Sequence, residues 1–138
     1  MRTDSQPDHQ TTLLVVEDDE MVRDAMIRLF VREGYLVLTA ATGHDAIGLL
    51  RTPATSVDVV LLDIGLPDVS GADLCARMRQ IFPDLPVVVC SGAARAEELE
   101  ELRRLGISRF LTKPIALSEL VEAVGSACKA GLASRPTH

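Results

Sequence analysis

Four short segments of the sequence end in polar residues that suit phosphate or cation chemistry. Three of these segments are apolar runs, and the polar residues at the four ends are, in chain order, Glu17 and Asp18, Asp63, Ser91, and Lys113. Three carboxylates brought together would repel one another and raise at least one pKa, unless a cation or the ammonium group compensated. Oxygen ligands without His or Cys favour Mg²⁺ or Mn²⁺ over zinc. The set therefore predicts a metal-assisted phosphoryl site.

Asp63 is the residue that we expect to react. It follows the apolar run 57–62, whose β-branched residues are typical of a strand buried on both faces of a parallel sheet. A carboxylate at the end of such a strand can attack a phosphoryl group and form an acyl phosphate. The metal would bridge Asp18, Asp63 and the phosphoryl group. Ser91 would donate a hydrogen bond to a second phosphoryl oxygen, and Lys113 would pair with a third.

Each polar residue also has a purely structural explanation. Acids such as Asp19 and Glu20 commonly cap a helix and offset its dipole, and we interpret these two in that way. Taken alone, Asp63 could cap a helix, Ser91 could be a turn residue, and Lys113 could be a surface lysine. Their joint occurrence at the ends of successive predicted strands favours a functional site.

A parallel sheet would bring these ends together. The sequence alternates between strand and helix patterns, which predicts an α/β fold with helices on both faces of the sheet. The lead 1–11 and the tail 130–138 are expected to be flexible, and 12–129 to form one domain. The predicted strands are 13–16, 35–39, 57–62, 87–90 and 109–112, and the predicted helices are 21–33, a short helix ending at residue 50, 72–81, 94–105 and 117–129.

Composition and charge exclude several classes of function. The 138 residues are 47% hydrophobic and 25% charged, as in an ordinary globular domain. A net charge of −6 and the scarcity of aromatic residues argue against direct binding of nucleic acid. No apolar stretch is long enough for a membrane helix, and no secretory signal is recognisable. The cysteines Cys75, Cys90 and Cys128 are read as reduced, which predicts a cytoplasmic protein.

The region from about Thr12 to Lys129 resembles the receiver domain of two-component response regulators, stand-alone or from a hybrid histidine kinase. The resemblance rests on four motifs taken together and in this order. The fold that it implies is the flavodoxin-like (βα)5 sheet with strand order 2-1-3-4-5. The motifs are Leu14-Val15-Val16-Glu17-Asp18-Asp19, Leu62-Asp63-Ile64-Gly65-Leu66-Pro67 with Gly71, Val89-Cys90-Ser91-Gly92, and Lys113-Pro114.

The resemblance also implies a metal site. Asp63 would be the phosphoacceptor, Glu17 and Asp18 the acidic pair, and Asp18 the direct ligand of Mg²⁺ or Mn²⁺. The main-chain carbonyl of Gly65 would be the third protein ligand.

Three further roles follow from the same resemblance. Ser91 takes the hydroxyl position that senses the phosphoryl group, and Lys113 takes the position of the site lysine, followed by a cis peptide bond to Pro114. Phe110 occupies the aromatic switch position, where many relatives carry tyrosine. Inward rotation of a phenylalanine ring remains available, but it brings no phenolic hydroxyl to seal the inward state.

We therefore predict a phosphorylation-controlled switch rather than an enzyme. A histidine kinase or phosphotransfer protein would supply the phosphoryl group. Output would pass to a protein partner through the face formed by helix 4, strand 5 and helix 5, or to an attached domain; the oligomeric state stays open. One alternative is a receiver-like scaffold that needs no phosphorylation. A metal-dependent phosphohydrolase is another, disfavoured because Gly65 stands where such enzymes carry a second Asp.

Overall fold

Strands and helices alternate strictly along the chain. The computed structural model describes residues 10–92 and 95–134. The strands are β1 (Thr12–Val16), β2 (Leu36–Ala40), β3 (Val59–Asp63), β4 (Val87–Ser91) and β5 (Arg109–Thr112). The helices are α1 (Glu20–Arg32), α2 (Gly43–Arg51), α3 (Gly71–Ile81), α4 (Ala96–Arg104) and α5 (Leu117–Ser134).

The strands form one parallel sheet in the order β2-β1-β3-β4-β5, which confirms the predicted fold. Between β1 and β3 the order of the strands reverses, and in open α/β sheets ligands bind in the crevice outside the strand ends at such a point. Val16 lies opposite Leu62 in this register, so Glu17, the first residue after β1, and Asp63, the last residue of β3, take neighbouring positions.

Both faces of the sheet are covered by apolar side chains, which explains why the central strands show no polar alternation. One face carries Leu14, Val60 and Val89 and packs beneath α2, α3 and α4. The opposite face carries Leu13, Val59 and Val88 and packs beneath α1 and α5. Because the strands are buried on both sides, their ends are held rigidly at one edge.

Three helices begin at side-chain caps. Asp19 accepts hydrogen bonds from the backbone N–H groups of Met21 and Val22, which confirms the capping role predicted for this acid. Thr42 and Ser70 cap α2 and α3 in the same way. Within the described ranges, no helix combines the length and the apolar character that a membrane span requires.

The ends of the domain differ in detail from the prediction. Helix α5 continues to Ser134, past the predicted end at about Lys129. The added turn includes Gly131. Residues 1–9 of the predicted lead, 135–138 of the predicted tail, and the predicted start of helix 4 at Ala94 lie outside the described residues.

Candidate functional site

Three of the predicted carboxylates meet at the crevice. One oxygen from each of Glu17, Asp18 and Asp63 lies within 4.8 Å of the others. Glu17 is 5% exposed, whereas Asp18 is exposed. Such a group of oxygens, one buried and one open to solvent, has the chemistry that Mg²⁺ or Mn²⁺ prefers and leaves space for water and phosphate ligands.

The ammonium group of Lys113 reaches the same point from β5. Its Nζ donates a hydrogen bond to Asp63 Oδ2 at 3.0 Å, while the backbone N–H of Gly65 donates to Asp63 Oδ1 at 3.0 Å. The backbone N–H of Lys113 also donates to the Ser91 carbonyl at 2.9 Å, which fixes the end of β5 to the end of β4. The Lys113–Pro114 peptide bond is cis, as the resemblance implied.

These contacts keep Asp63 ionised. Burial acts to raise the pKa of Asp63, but hydrogen bonds from Gly65, Lys113 and Glu17 outweigh it and the pKa is lowered. Burial acts to lower the pKa of Lys113, but the hydrogen bond and negative charge of Asp63 outweigh it and the pKa is raised. The site thus presents an ionised carboxylate beside the positive charge of Lys113.

Glu17 has the opposite tendency. Burial raises its pKa to about 7, and the neighbouring charge of Asp63 adds to the rise. A hydrogen bond from the backbone N–H of Asp19 to Glu17 Oε2, 3.1 Å long, lowers the pKa only in part. At neutral pH and without a cation, the protonated and the ionised forms of Glu17 are therefore both populated, and a bound cation would favour the ionised form.

A cavity of about 400 Å³ opens beside the carboxylate of Asp63. Ser91 and Lys113 line it, as do Gly65 and Gly92, so the structure brings the predicted hydroxyl and ammonium groups to one space. The backbone N–H of Gly65 points to Asp63; the role of its carbonyl as a metal ligand stays a prediction. The cavity has the size and polarity to receive a phosphoryl group.

An apolar groove of about 440 Å³ also borders the site. Glu17, Asp63 and Lys113 form its polar end. Its remaining walls come chiefly from α1, the start of α5 and the segment before α5, and two of the wall residues are strongly exposed: Met21 by 81% and Leu117 by 61%. Apolar surface therefore continues up to the predicted phosphoacceptor.

Phe110 lies apart from the acidic cluster. It pairs with Val89 in the sheet, is half-buried, and packs against the core beneath α4. The guanidinium carbon of Arg103 lies 5.4 Å from the centre of the Phe110 ring, a cation–π contact between α4 and β5. The predicted switch residue is thus in contact with the face expected to bind partners.

Sequence reasoning missed two residues beside the site. Arg23 of α1 donates hydrogen bonds to the main-chain carbonyls of Glu17, at 3.0 Å, and Asp18, at 3.4 Å, and so supports the acidic segment. Glu98 of α4 lines the cavity beside Asp63. The available signal for Glu98 was its place in the first turn of the helix that follows the end of β4.

Fold and site together define a receiver domain of two-component signalling. The family model described as response regulator receiver domain matches residues 13–125, and the chain belongs to this family. Among its relatives, "Probable transcriptional regulatory protein TcrX" of Mycobacterium tuberculosis is 37% identical over 121 residues, covering 87% of this chain and 49% of that protein. The sensor kinase CckA of Brucella abortus is 32% identical over 113 residues, covering 82% of this chain and 12% of that protein.

Solved structures share the fold. The non-phosphorylated receiver domain of HemR from Leptospira biflexa superposes with a TM-score of 0.82 at 30% identity and covers 94% of this chain and 100% of that one. A CheY-like receiver domain protein from Methanospirillum hungatei gives a TM-score of 0.87 at 23% identity, covering 92% and 100%. The chain spans about half the length of the first curated relatives, 49% and 47%.

Replacing Glu17 with Gln should stabilise the cation-free protein at alkaline pH. A folded-state pKa near 7, above the ordinary 4.5, means that stability is present at low pH and is lost as pH rises through 7. Gln keeps the uncharged form, so in EDTA at about pH 8 we expect Glu17→Gln to gain about 1–3 kcal/mol in free energy of unfolding.

Urea unfolding in EDTA, measured near pH 5 and near pH 8, checks this. The gain should shrink near pH 5, where Glu17 of the wild type is already protonated. A variant that is less stable than the wild type at both pH values would contradict the prediction.

Proposed function

We propose that the chain is a phosphorylation-dependent switch that accepts a phosphoryl group on Asp63 from a histidine kinase or a phosphotransfer protein. The observation that carries the proposal is the 3.0 Å contact between Lys113 Nζ and Asp63 Oδ2 beside the clustered oxygens of Glu17 and Asp18. A carboxylate kept ionised in this setting is a nucleophile, and the groups around it can stabilise the charge of a transferring phosphoryl group.

The transfer step needs little beyond alignment and charge. A carboxylate oxygen of Asp63 forms a bond to phosphorus, while the phosphorus–nitrogen bond of the donor phosphohistidine breaks and its electron pair stays on the histidine nitrogen. Lys113 would then pair with one phosphoryl oxygen and Ser91 would donate a hydrogen bond to another. No proton has to leave Asp63, because its pKa is lowered.

A divalent cation completes this proposal. Asp18 and Asp63 would hold Mg²⁺ or Mn²⁺ directly with the Gly65 carbonyl, and Glu17 would support it from the buried side. When bound, the cation would neutralise negative charge on the phosphoryl oxygens.

The apolar groove supports a protein as the phosphodonor. The donor must bring phosphorus to Asp63, and the groove ends there, so a helix carrying the phosphohistidine could bury its apolar face against Met21 and Leu117. A small phosphodonor needs only the polar end of the groove. The two kinds of donor should therefore depend differently on these exposed residues.

Output is proposed to pass through the face formed by α4, β5 and α5, to a protein partner or to an attached domain. Ser91 would move toward the phosphoryl group, and Phe110, two positions along β5 from the partner of Ser91, would turn inward. That turn would break the contact between Phe110 and Arg103 and change the partner surface.

We propose that the protein works in the cytoplasm as a signalling domain and not as an enzyme. No disulfide joins Cys75, Cys90 or Cys128 within the described residues, which supports a reducing compartment such as the cytoplasm. We propose no turnover of external substrates, since Gly65 supplies only main-chain groups beside the nucleophile. We also propose no direct contact with nucleic acid, in keeping with the net charge of −6.

Acetyl phosphate with Mg²⁺ should add one phosphoryl group to the protein, as measured by intact mass. Asp63→Asn should abolish the addition and EDTA should prevent it, because the first removes the nucleophile and the second removes the cation. Lys113→Met should lower the labelling rate by about tenfold or more, given the worth of one charge-assisted contact to a phosphoryl group.

The two alternatives give different results in the same experiment. A wild-type chain that gains no mass while binding partners would be a phosphorylation-independent scaffold. Steady hydrolysis of a small phosphate ester would instead indicate a phosphohydrolase. Either result would overturn the proposal.

Transfer from a protein donor should depend on the groove. Met21→Gln combined with Leu117→Gln should slow labelling by a phosphorylated histidine phosphotransfer domain by about tenfold, since two apolar contacts are lost. Labelling by acetyl phosphate should stay unchanged. The matched control is Val31→Gln with Leu36→Gln, which replaces apolar residues that are 55% and 49% exposed outside the groove. Equal slowing in both pairs would contradict a donor site in the groove.

Removing the cation–π contact should favour the activated state. Arg103→Met should tighten binding of beryllofluoride, a mimic of the phosphoryl group, by about two- to fivefold, the worth of one exposed cation–π contact. Arg104→Met is the matched control. Each arginine pairs with the glutamate three positions before it, but in the described residues only Arg103 makes a cation–π contact with Phe110.

Fluorine-labelled phenylalanine would report the ring movement by NMR. The Phe110 resonance should shift on adding beryllofluoride, while that of Phe30, buried on the opposite face of the sheet, should not. An unmoved Phe110 resonance, or equal tightening by both arginine substitutions, would rule out this output path.

A further inference from the structure

Helix α4 brings one carboxylate, that of Glu98, to the cavity beside Asp63. Glu98 lines this space together with Asp63, Ser91 and Lys113, and it is half-buried there. Its neighbour Glu97 is exposed and lies outside the cavity lining. The two acids share one helical turn, yet only Glu98 borders the space that a phosphoryl group must enter.

The charge of Glu98 is not balanced by an arginine, as the charges of Glu100 and Glu101 are. Glu100 pairs with Arg103 at 3.8 Å and Glu101 pairs with Arg104 at 2.8 Å. In the part of the chain that the structure describes, no salt bridge involves Glu98, and the ammonium group of Lys113 is engaged by Asp63. Because Glu98 is half-buried, solvent screens its charge less than it screens the exposed acids.

A phosphodonor that enters the cavity therefore meets the negative charges of both Asp63 and Glu98. Asp63 must approach phosphorus in order to react, so its charge is unavoidable. Glu98 forms no bond to the phosphoryl group. Its carboxylate repels an incoming anion and does not stabilise the transition state. Such a group raises the free energy of the donor complex and of the acyl phosphate together.

We propose that Glu98 acts as an electrostatic brake that slows phosphorylation of Asp63 by anionic donors. This inference rests on the proposed function, since it presumes that Asp63 accepts a phosphoryl group. In the reaction with acetyl phosphate, an Asp63 oxygen bonds to phosphorus, the phosphorus–oxygen bond to the acetyl group breaks, and acetate leaves with the electron pair. Glu98 repels the donor throughout that step, and the repulsion grows with the negative charge that the donor carries.

Comparison of Glu98→Gln with Glu97→Gln isolates this effect. Both substitutions remove one negative charge from the first turn of α4, so their influence on the helix dipole is alike. At low salt and saturating Mg²⁺, Glu98→Gln should be phosphorylated by acetyl phosphate about three- to tenfold faster than the wild type, from Coulomb repulsion of a dianion over several ångströms. Glu97→Gln should match the wild type.

Donor charge and salt provide readouts that a merely structural role would not move. Phosphoramidate carries one net negative charge near neutral pH, so Glu98→Gln should speed its reaction less than that of acetyl phosphate. High salt should shrink both gains. Glu98→Ala, which is also uncharged but smaller, should reproduce the acceleration, so that one poorly folded variant cannot decide the result.

The experiment gives different results if the role of Glu98 is wrong and if Asp63 is not a phosphoacceptor. A wild-type chain that is phosphorylated while neither Glu98→Gln nor Glu98→Ala is faster overturns the brake alone. The brake is also overturned if Glu97→Gln accelerates phosphorylation equally, or if the acceleration by Glu98→Gln does not depend on the charge of the donor and on the salt concentration. If the wild-type chain gains no phosphoryl group, the proposed function is wrong, and the proposed role of Glu98 is then wrong as well.

Discussion

The ion pair between Lys113 and Asp63 is the contact on which the site depends. Three carboxylates converge where β1 and β3 end, and a single ammonium group, 3.0 Å from Asp63, offsets their repulsion in the described structure. Hydrogen bonds from the backbone N–H of Gly65 and from Lys113 lower the pKa of Asp63, while burial raises the pKa of Glu17 to about 7. Carboxylates of different protonation thus share one crevice, and the rigid sheet holds them there despite their charge.

Much of this arrangement could be predicted from the sequence. The apolar run before Asp63 indicated a central strand, and the polar residues at successive strand ends indicated a shared edge, as the register of β1 and β3 confirms. The strand order came from the family resemblance, because alternation of strands and helices alone does not determine which strands are neighbours. Elements with strong periodicity were found reliably, whereas their ends shifted by a few residues.

Contacts between side chains on different elements could not be predicted. The acids of α4 look equivalent in sequence, and only the packing of the helix distinguishes Glu98, at the cavity, from Glu97, in solvent. The contact of Arg103 with Phe110 likewise depends on the position of α4 over β5. Both examples concern which way a helix is turned, and a helix composed largely of charged residues gives little apolar pattern from which to infer it.

The loop after Asp63 is anchored on one side. Asp68 accepts hydrogen bonds from the backbone N–H groups of Gly43, at 2.9 Å, and His44, at 3.0 Å, and Gly71 lies so close to Ile64 that a β-carbon there would overlap its side chain. The backbone that follows Asp63 is therefore tied to the start of α2 and packed closely against the start of α3, and only a residue without a side chain fits at position 71.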